Sequence, residues 1–140
     1  MQRVTHQKVY RVIDANLNRA KEGLRVCEDI TRFALNHARW TKTYKQIRHQ
    51  LSFSLFDSLK NQEQLFQARD ISGDQGCRST RTELQRDGIR DIFLANSQRV
   101  KESIRVLEEF SKMICPKKTA IFKKSRYKVY DLEKKIIEKL

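Results

Sequence analysis

Proline occurs once in this 140-residue chain, at Pro116, and glycine only four times. That leaves little of the turn chemistry a many-stranded β fold requires. No stretch of about eighteen apolar residues is present to span a bilayer, and the opening MQRVTHQKVYRV lacks the apolar core of a secretion signal. The three cysteines, Cys27, Cys77 and Cys115, are odd in number and far apart, with no CxxC pair. A disulfide framework and a zinc site are therefore disfavoured, and reduced thiols in a cytoplasmic protein are expected. The phosphate-cradling patterns GxxxxGK[ST] and GxGxxG are both missing, so a nucleotide site would have to be unconventional.

What is abundant is charge. Thirty Lys and Arg against seventeen Asp and Glu give a formal +13, with 39% of residues hydrophobic and 34% charged. This composition fits a helix-rich fold in an aqueous environment, and the length suits one domain spanning 1–140. The positive balance favours anionic partners such as phosphate esters, nucleic acid or acidic lipid without choosing among them. Part of it is concentrated near the end, where KKTAIFKKSRYKVYDLEKKIIEKL holds nine basic and three acidic residues.

Apolar residues recurring every three or four positions predict one long helix over 4–35, a turn at NHAR, and a second helix capped by Thr41 or Thr43. Tyr44, Ile47, Leu51, Leu55 and Leu59 form the stripe of this second helix, which is expected to end near Lys60 or Asn61. The stretch NQEQLFQARDISGDQGCRSTRTELQRDG holds three of the four glycines and no sustained period, so it reads as loop. Thr80 and Glu83 have the spacing of a capping box, predicting a third helix from about there to Met113 or Ile114, where the residue before Pro116 must leave the helix. A last helix follows, carrying Ile121, Phe122, Val129, Leu132, Ile136 and Leu140.

The chain also repeats itself. ANLNRAKEGLRVCED at 15–29 returns eighty positions later as ANSQRVKESIRVLEE at 95–109, and YKQIRHQL matches FKKSRYKV at an offset of seventy-eight. Repeat one then covers 4–60, the loop 61–80 and repeat two 81–140. The expected fold is all-α: a four-helix bundle of two antiparallel hairpins related by a pseudo-twofold, with an irregular central loop.

At about 100° per residue, Asn16, Arg19, Ala20, Gly23, Cys27 and Ile30 share one stripe, matched by Asn96, Arg99, Val100, Ser103, Leu107 and Phe110. Gly23 and Ser103 are small enough to let two helices approach closely. Arg19 and Arg99, placed beside a core, need a counter-charge, which leaves two readings open: an internal network with Asp or Glu, or two cations gripping one phosphate-bearing ligand. Glu22, Arg25, Glu28 and Asp29, repeated as Glu102, Arg105, Glu108 and Glu109, read as intrahelical ion pairs on a solvated face, or else as the seam of a homodimer.

ARDISGDQG, 68–76, has the residue types of a ligand loop. Gly73 and Gly76 permit positive φ and close backbone approach to a phosphate; Asp70 and Asp74 are candidate Mg²⁺ ligands; Arg69 is a candidate anion contact. The plain structural reading is a glycine turn closed by two aspartates.

DANLNRAKEGLRVCED, ARDISGDQG, LANSQRVKESIRVLEEFSK and SRYKVYDLEK, in that order, resemble a helical domain of thiamine biosynthesis. That domain is fused ahead of the barrel of some bacterial thiamine-phosphate synthases and also stands alone. The resemblance implies an alternative kinase for hydroxymethylpyrimidine phosphate, using ATP and Mg²⁺ to make the diphosphate. It does not imply the synthase reaction, since no room exists here for a TIM barrel. Positions matching the pattern are Asn16, Arg19, Glu22, Arg25 and Glu28; Asn96, Arg99, Glu102, Arg105 and Glu108; Arg69, Asp70, Gly73, Asp74 and Gly76; and Arg126, Tyr127 and Tyr130. Ile71 and Ser72 depart from an expected Thr-Pro, and Cys77 from an expected threonine. On this reading Arg19, Arg99, Asp70 and Asp74 carry the chemistry, with Asn16, Asn96, Arg69, Gly73 and Gly76 holding the substrate. The alternative is a noncatalytic helical partner of a thiamine-phosphate synthase. A nucleic-acid module rests on charge alone, the sequence pattern showing no aromatic stacking platform of the kind single-strand binders use.

Overall fold

A computed structural model describes the backbone of residues 2–55, 59–81 and 84–140, and the side chains of 4–55, 62–81 and 84–140. Its elements are α1 (Gln2–Asp29), running on through a π turn at Ile30–Ala34; α2 (Ala38–Leu55); α3 (Leu59–Ala68); α4 (Ile89–Ile114); a 3₁₀ turn at Pro116–Lys118; and α5 (Thr119–Ile137). Among the described residues there is no strand. The protein is all-α, and its four long helices form a bundle in which α1 packs chiefly on α4, α4 on α5, and α1 on α2.

α1 buries Val9, Ile13, Leu17, Ala20, Leu24 and Cys27, a strict three-and-four spacing. These meet Phe93, Val100, Ile104 and Leu107 of α4 in a core completed by Tyr44, Ile47 and Leu51 of α2 and Phe122, Val129, Leu132 and Ile136 of α5. Burying one such side chain contributes roughly 2 kcal/mol, so the periodicity alone accounts for the bundle. At Gly23 the α1–α4 contact is close: a Cβ there would lie 2.7 Å from Val100 Cγ2 and 3.0 Å from the Asn96 carbonyl oxygen.

The two hairpins match in detail. Arg48 Nε donates to Glu28 Oε2 at 3.0 Å, and Arg126 Nε donates to Glu108 Oε2 at 3.2 Å. Thr31 Oγ1 donates to the Glu28 carbonyl and lies 2.9 Å from Thr41 Oγ1; Ser111 Oγ donates to the Glu108 carbonyl and lies 3.2 Å from Thr119 Oγ1. Burial opposes the charge of Arg126, and its bonds to Glu108 outweigh this, raising its pKa. Each hairpin is thus clasped by a glutamate on its long helix and an arginine on its short one. The offset falls from eighty to seventy-eight between the paired helices because the first connection, with its π turn and Asn36 at φ 50°, is two residues longer.

This clasp corrects the expectation of a solvated glutamate face. Glu28 and Glu108 are only 4% and 5% exposed, covered by the short helix of their own hairpin. Arg25 and Arg105 pair with them from the outside, where they remain about half exposed. Four features of the element plan also differ. Leu59–Ala68 is α3 and not loop, held because Leu65 and Ala68 bury against the core. α2 is described to Leu55, so Lys60 and Asn61 belong to the next helix. α2 begins at Ala38, and Thr41 acts not as its cap but as a donor to the His37 carbonyl. α4 begins at Ile89, well after Thr80, and the Thr80–Glu83 box lies outside the described residues at Glu83.

Candidate functional site

Asp14 fixes the connection between the halves. Arg69, just past the end of α3, donates from Nε and Nη2 to Asp14 Oδ2 and Oδ1 at 2.8 and 2.7 Å, a two-pronged pair with a largely buried carboxylate. The hydrogen bond to Asp14 holds the Arg69 pKa above its ordinary value. Arg11 Nη2 donates to the Asp70 carbonyl at 3.2 Å, so α1 grips this segment twice. Arg69, expected as an anion contact, therefore acts first as an anchor.

The loop that follows is closed by its own aspartates. Asp70 Oδ1 accepts from Gly73 N at 2.9 Å and Ser72 Oγ at 3.2 Å; Asp74 Oδ1 accepts from Gly76 N at 2.9 Å. The Gly73 amide, followed by the Ser72 hydroxyl and the charge of Arg11, holds the Asp70 carboxyl below its usual pKa. Neither glycine has positive φ, which corrects the reason expected for them. A Cβ at Gly73 would instead meet the Asp70 carboxylate, so a side chain there would push aside the group that closes the turn. Both amides are also already engaged, so they are turn closures before they are a phosphate cradle.

Two adjoining hollows lie where this loop meets the α1–α4 seam. One, of about 790 Å³, is lined by Lys8, Arg11, Asp14, Asn16, Arg19, Glu22, Arg69, Asp70, Ile71 and Asp74. The other, of about 510 Å³, is lined by Asn16, Arg19, Asp74, Gly76, Cys77, Ser79, Arg99, Glu102, Ser103 and Val106. Asn16, Arg19 and Asp74 belong to both. Arg19 and Arg99 thus share one recess beside the Asp- and Gly-bearing loop, as their spacing in the two repeats requires.

They do so on the surface. Both arginines are exposed, and neither is paired within the core as the internal-network reading required. The physical reason is the cost of a buried, unpaired guanidinium: the seam closes over Gly23 and Ser103, and the cations lie outside it. Asn16 is buried and donates from Nδ2 to the Val12 carbonyl at 2.8 Å; Asn96 does the same to Ile92. Asn96 lines neither hollow, so of the two expected asparagines only Asn16 joins the recess. Asp14 was missed by sequence reasoning. Its one signal is asymmetry, since the matching position in the second repeat is Leu94.

Among the described residues no three or more His, Cys, Asp and Glu gather into a metal-holding group. Asp70 and Asp74 place their turn bonds on Oδ1, and two carboxylates suit Mg²⁺ only where phosphate and water complete its shell.

Two duplicated helical hairpins whose seam carries Arg19 and Arg99 on one surface recess, among equal numbers of basic and acidic side chains, define the class: a helical bundle built on an internal repeat. Residues 11–135 match the ThiD2 family, and the chain belongs to it. It is 41% identical over 133 residues to a thiamine-phosphate synthase of Nostoc sp., covering 94% of this chain and 36% of that protein. Thiamine-phosphate synthases of Nostoc punctiforme and Synechocystis sp. match at 41% and 40% identity over 132 and 134 residues, covering 94% and 95% of this chain. The chain spans little more than a third of these relatives, 36% and 37% for the latter two. No solved structure matches it.

Proposed function

We propose that this protein serves thiamine biosynthesis beside a thiamine-phosphate synthase, holding a phosphorylated pyrimidine in the recess between its two halves. The observation that carries this is the convergence of Arg19 and Arg99, one from each repeat, on a single hollow bounded by Asp74 and Gly76. Two guanidiniums held at the surface carry no burial penalty in the free protein and are placed to bracket a phosphate, and Asn16 at the floor presents a polar edge to a ring.

Two finer readings share that site. In the first, the protein phosphorylates hydroxymethylpyrimidine phosphate to the diphosphate. Arg19 and Arg99 neutralise the phosphates, Arg69 and Asp14 keep the loop in register, and Asp70 and Asp74 face the same space. Bound ATP with Mg²⁺ would supply the phosphoryl group and its charge neutralisation, the metal resting on those two carboxylates. This reading is favoured by the presence of carboxylates and arginines on one recess. In the second, the protein is a noncatalytic partner that docks on a synthase barrel and passes it the pyrimidine. The comparisons fit this one more directly, because the relatives are named for the synthase and this chain spans the part that accounts for about a third of them.

Incubation of folded protein with ATP, Mg²⁺ and hydroxymethylpyrimidine phosphate separates them. Release of ADP that depends on the pyrimidine supports the first; no turnover, together with co-elution with a synthase barrel, supports the second. Neither turnover nor pyrimidine binding ends both.

A further inference from the structure

The long helices form a square in the order α1, α4, α5, α2, so the α2–α5 edge lies across the bundle from the α1–α4 seam. A groove of about 730 Å³ runs along that edge and shares no lining residue with the recess. Its size falls within the range of small-molecule sites, roughly 300–1,000 Å³.

Its chemistry is specific. Trp40, partly buried against the core, lines the groove and is stacked on His37 with ring centroids 3.6 Å apart and planes 12° from parallel, an aromatic pair fixed by a hydrogen bond from the Trp40 amide to His37 Nδ1. Tyr127 lines the same groove and is 56% exposed, with the Arg126 guanidinium 5.3 Å from its ring. Arg39, Lys124, Lys128 and Lys135 supply four cations. The one acid there, Asp131, is tied to Lys135 at 2.8 Å, and no ion pair engages Arg39, Lys124 or Lys128 among the described residues.

The matching surface of the first repeat is not built this way. Where α5 presents Lys124, Tyr127 and Lys128, α2 presents Gln46, His49 and Gln50. Shared ancestry of the halves therefore does not account for the groove, and the clasp of the second hairpin uses none of its cations.

We propose that the α2–α5 groove is a second ligand site, taking a nucleoside phosphate whose base lies against the Trp40 and Tyr127 faces and whose phosphates meet Arg39, Lys124 and Lys128. Aromatic faces favour a planar base, and unpaired cations at the same groove favour its phosphates. Across the bundle from the recess, a nucleotide there is placed to act as an effector and not as a phosphoryl donor. The proposal stands apart from the recess function.

Trp40 is the chain's single tryptophan, so its emission reports this groove directly. Titration of the full chain with ATP should give saturable quenching below about 1 mM. The double variant Lys124→Ala, Lys128→Ala should weaken it about tenfold or more, while Arg19→Ala and Arg99→Ala leave it unchanged. Unchanged far-ultraviolet circular dichroism certifies that each variant is folded, and calorimetry with ATP in an Arg19→Ala, Arg99→Ala background, where the recess is disabled, repeats the Lys124→Ala, Lys128→Ala comparison without the optical probe. The proposal is overturned by any of four results: no saturable response, loss only in the recess variants, inorganic triphosphate binding as tightly as ATP, or a single-stranded RNA binding far more tightly than ATP.

Discussion

The two hairpins share a clasp and differ in what they carry. Glu28–Arg48 and Glu108–Arg126 occupy equivalent places with nearly equal geometry, as do the hydroxyl pairs above them. Elsewhere equivalent positions diverge: Asp14 against Leu94, Gly23 against Ser103, Cys27 against Leu107. Duplication supplied a symmetric frame, and a few substitutions made one half the anchor of the loop. The recess exists only because the frame brings Arg19 and Arg99 together while Asp14 fixes the loop on one side of them.

The clasp is the strongest test of the symmetry. Glu28→Ala and Glu108→Ala should each lower stability by about 3 kcal/mol in urea unfolding, since each strands a half-buried arginine. A large inequality between the two would show that the halves are not energetically equivalent. Gly23→Val sharpens the opposite point. It should cost about 2 kcal/mol by forcing α1 from α4, because the neighbours of a new Cβ include backbone, whereas Ser103→Ala should cost less than about 1 kcal/mol.

Asp14→Asn addresses the asymmetry itself. It should cost only about 1 kcal/mol globally, the side chain of Arg69 being 39% exposed and partly screened, yet hasten proteolysis within 70–81. Leu94→Ala in the second repeat should leave that segment as resistant as before. The smallest effect is chemical. Burial, with the charge of Glu133 adding to it, pushes the Cys27 thiol up to about 12, whereas Cys77 is exposed. In native protein at pH 8 a thiol reagent should label Cys77 readily and Cys27 only on unfolding.

Much of the frame was legible in the sequence. The three-and-four spacing of apolar residues located the long helices, and the paired asparagine–arginine motifs located the seam. The clasp was not read, because Glu28 is spaced to pair with Arg25 whether its face meets water or α2; periodicity reports which residues share a face, not which faces are covered. The repetition of Arg48 as Arg126 was the available clue. α3 escaped because a helix of ten residues, with Leu65 and Ala68 its buried anchors among the described side chains, shows too little period. Positive φ is the expectation for the glycines; what Gly73 makes room for is the Asp70 carboxylate, a contact that exists only once the turn is formed.

The central claim is that a phosphate sits between Arg19 and Arg99. Calorimetric titration of hydroxymethylpyrimidine phosphate into the wild-type protein and the Arg19→Ala and Arg99→Ala variants tests it most directly. Each substitution should weaken binding about tenfold or more with stability unchanged. Wild-type affinity in both variants would contradict it.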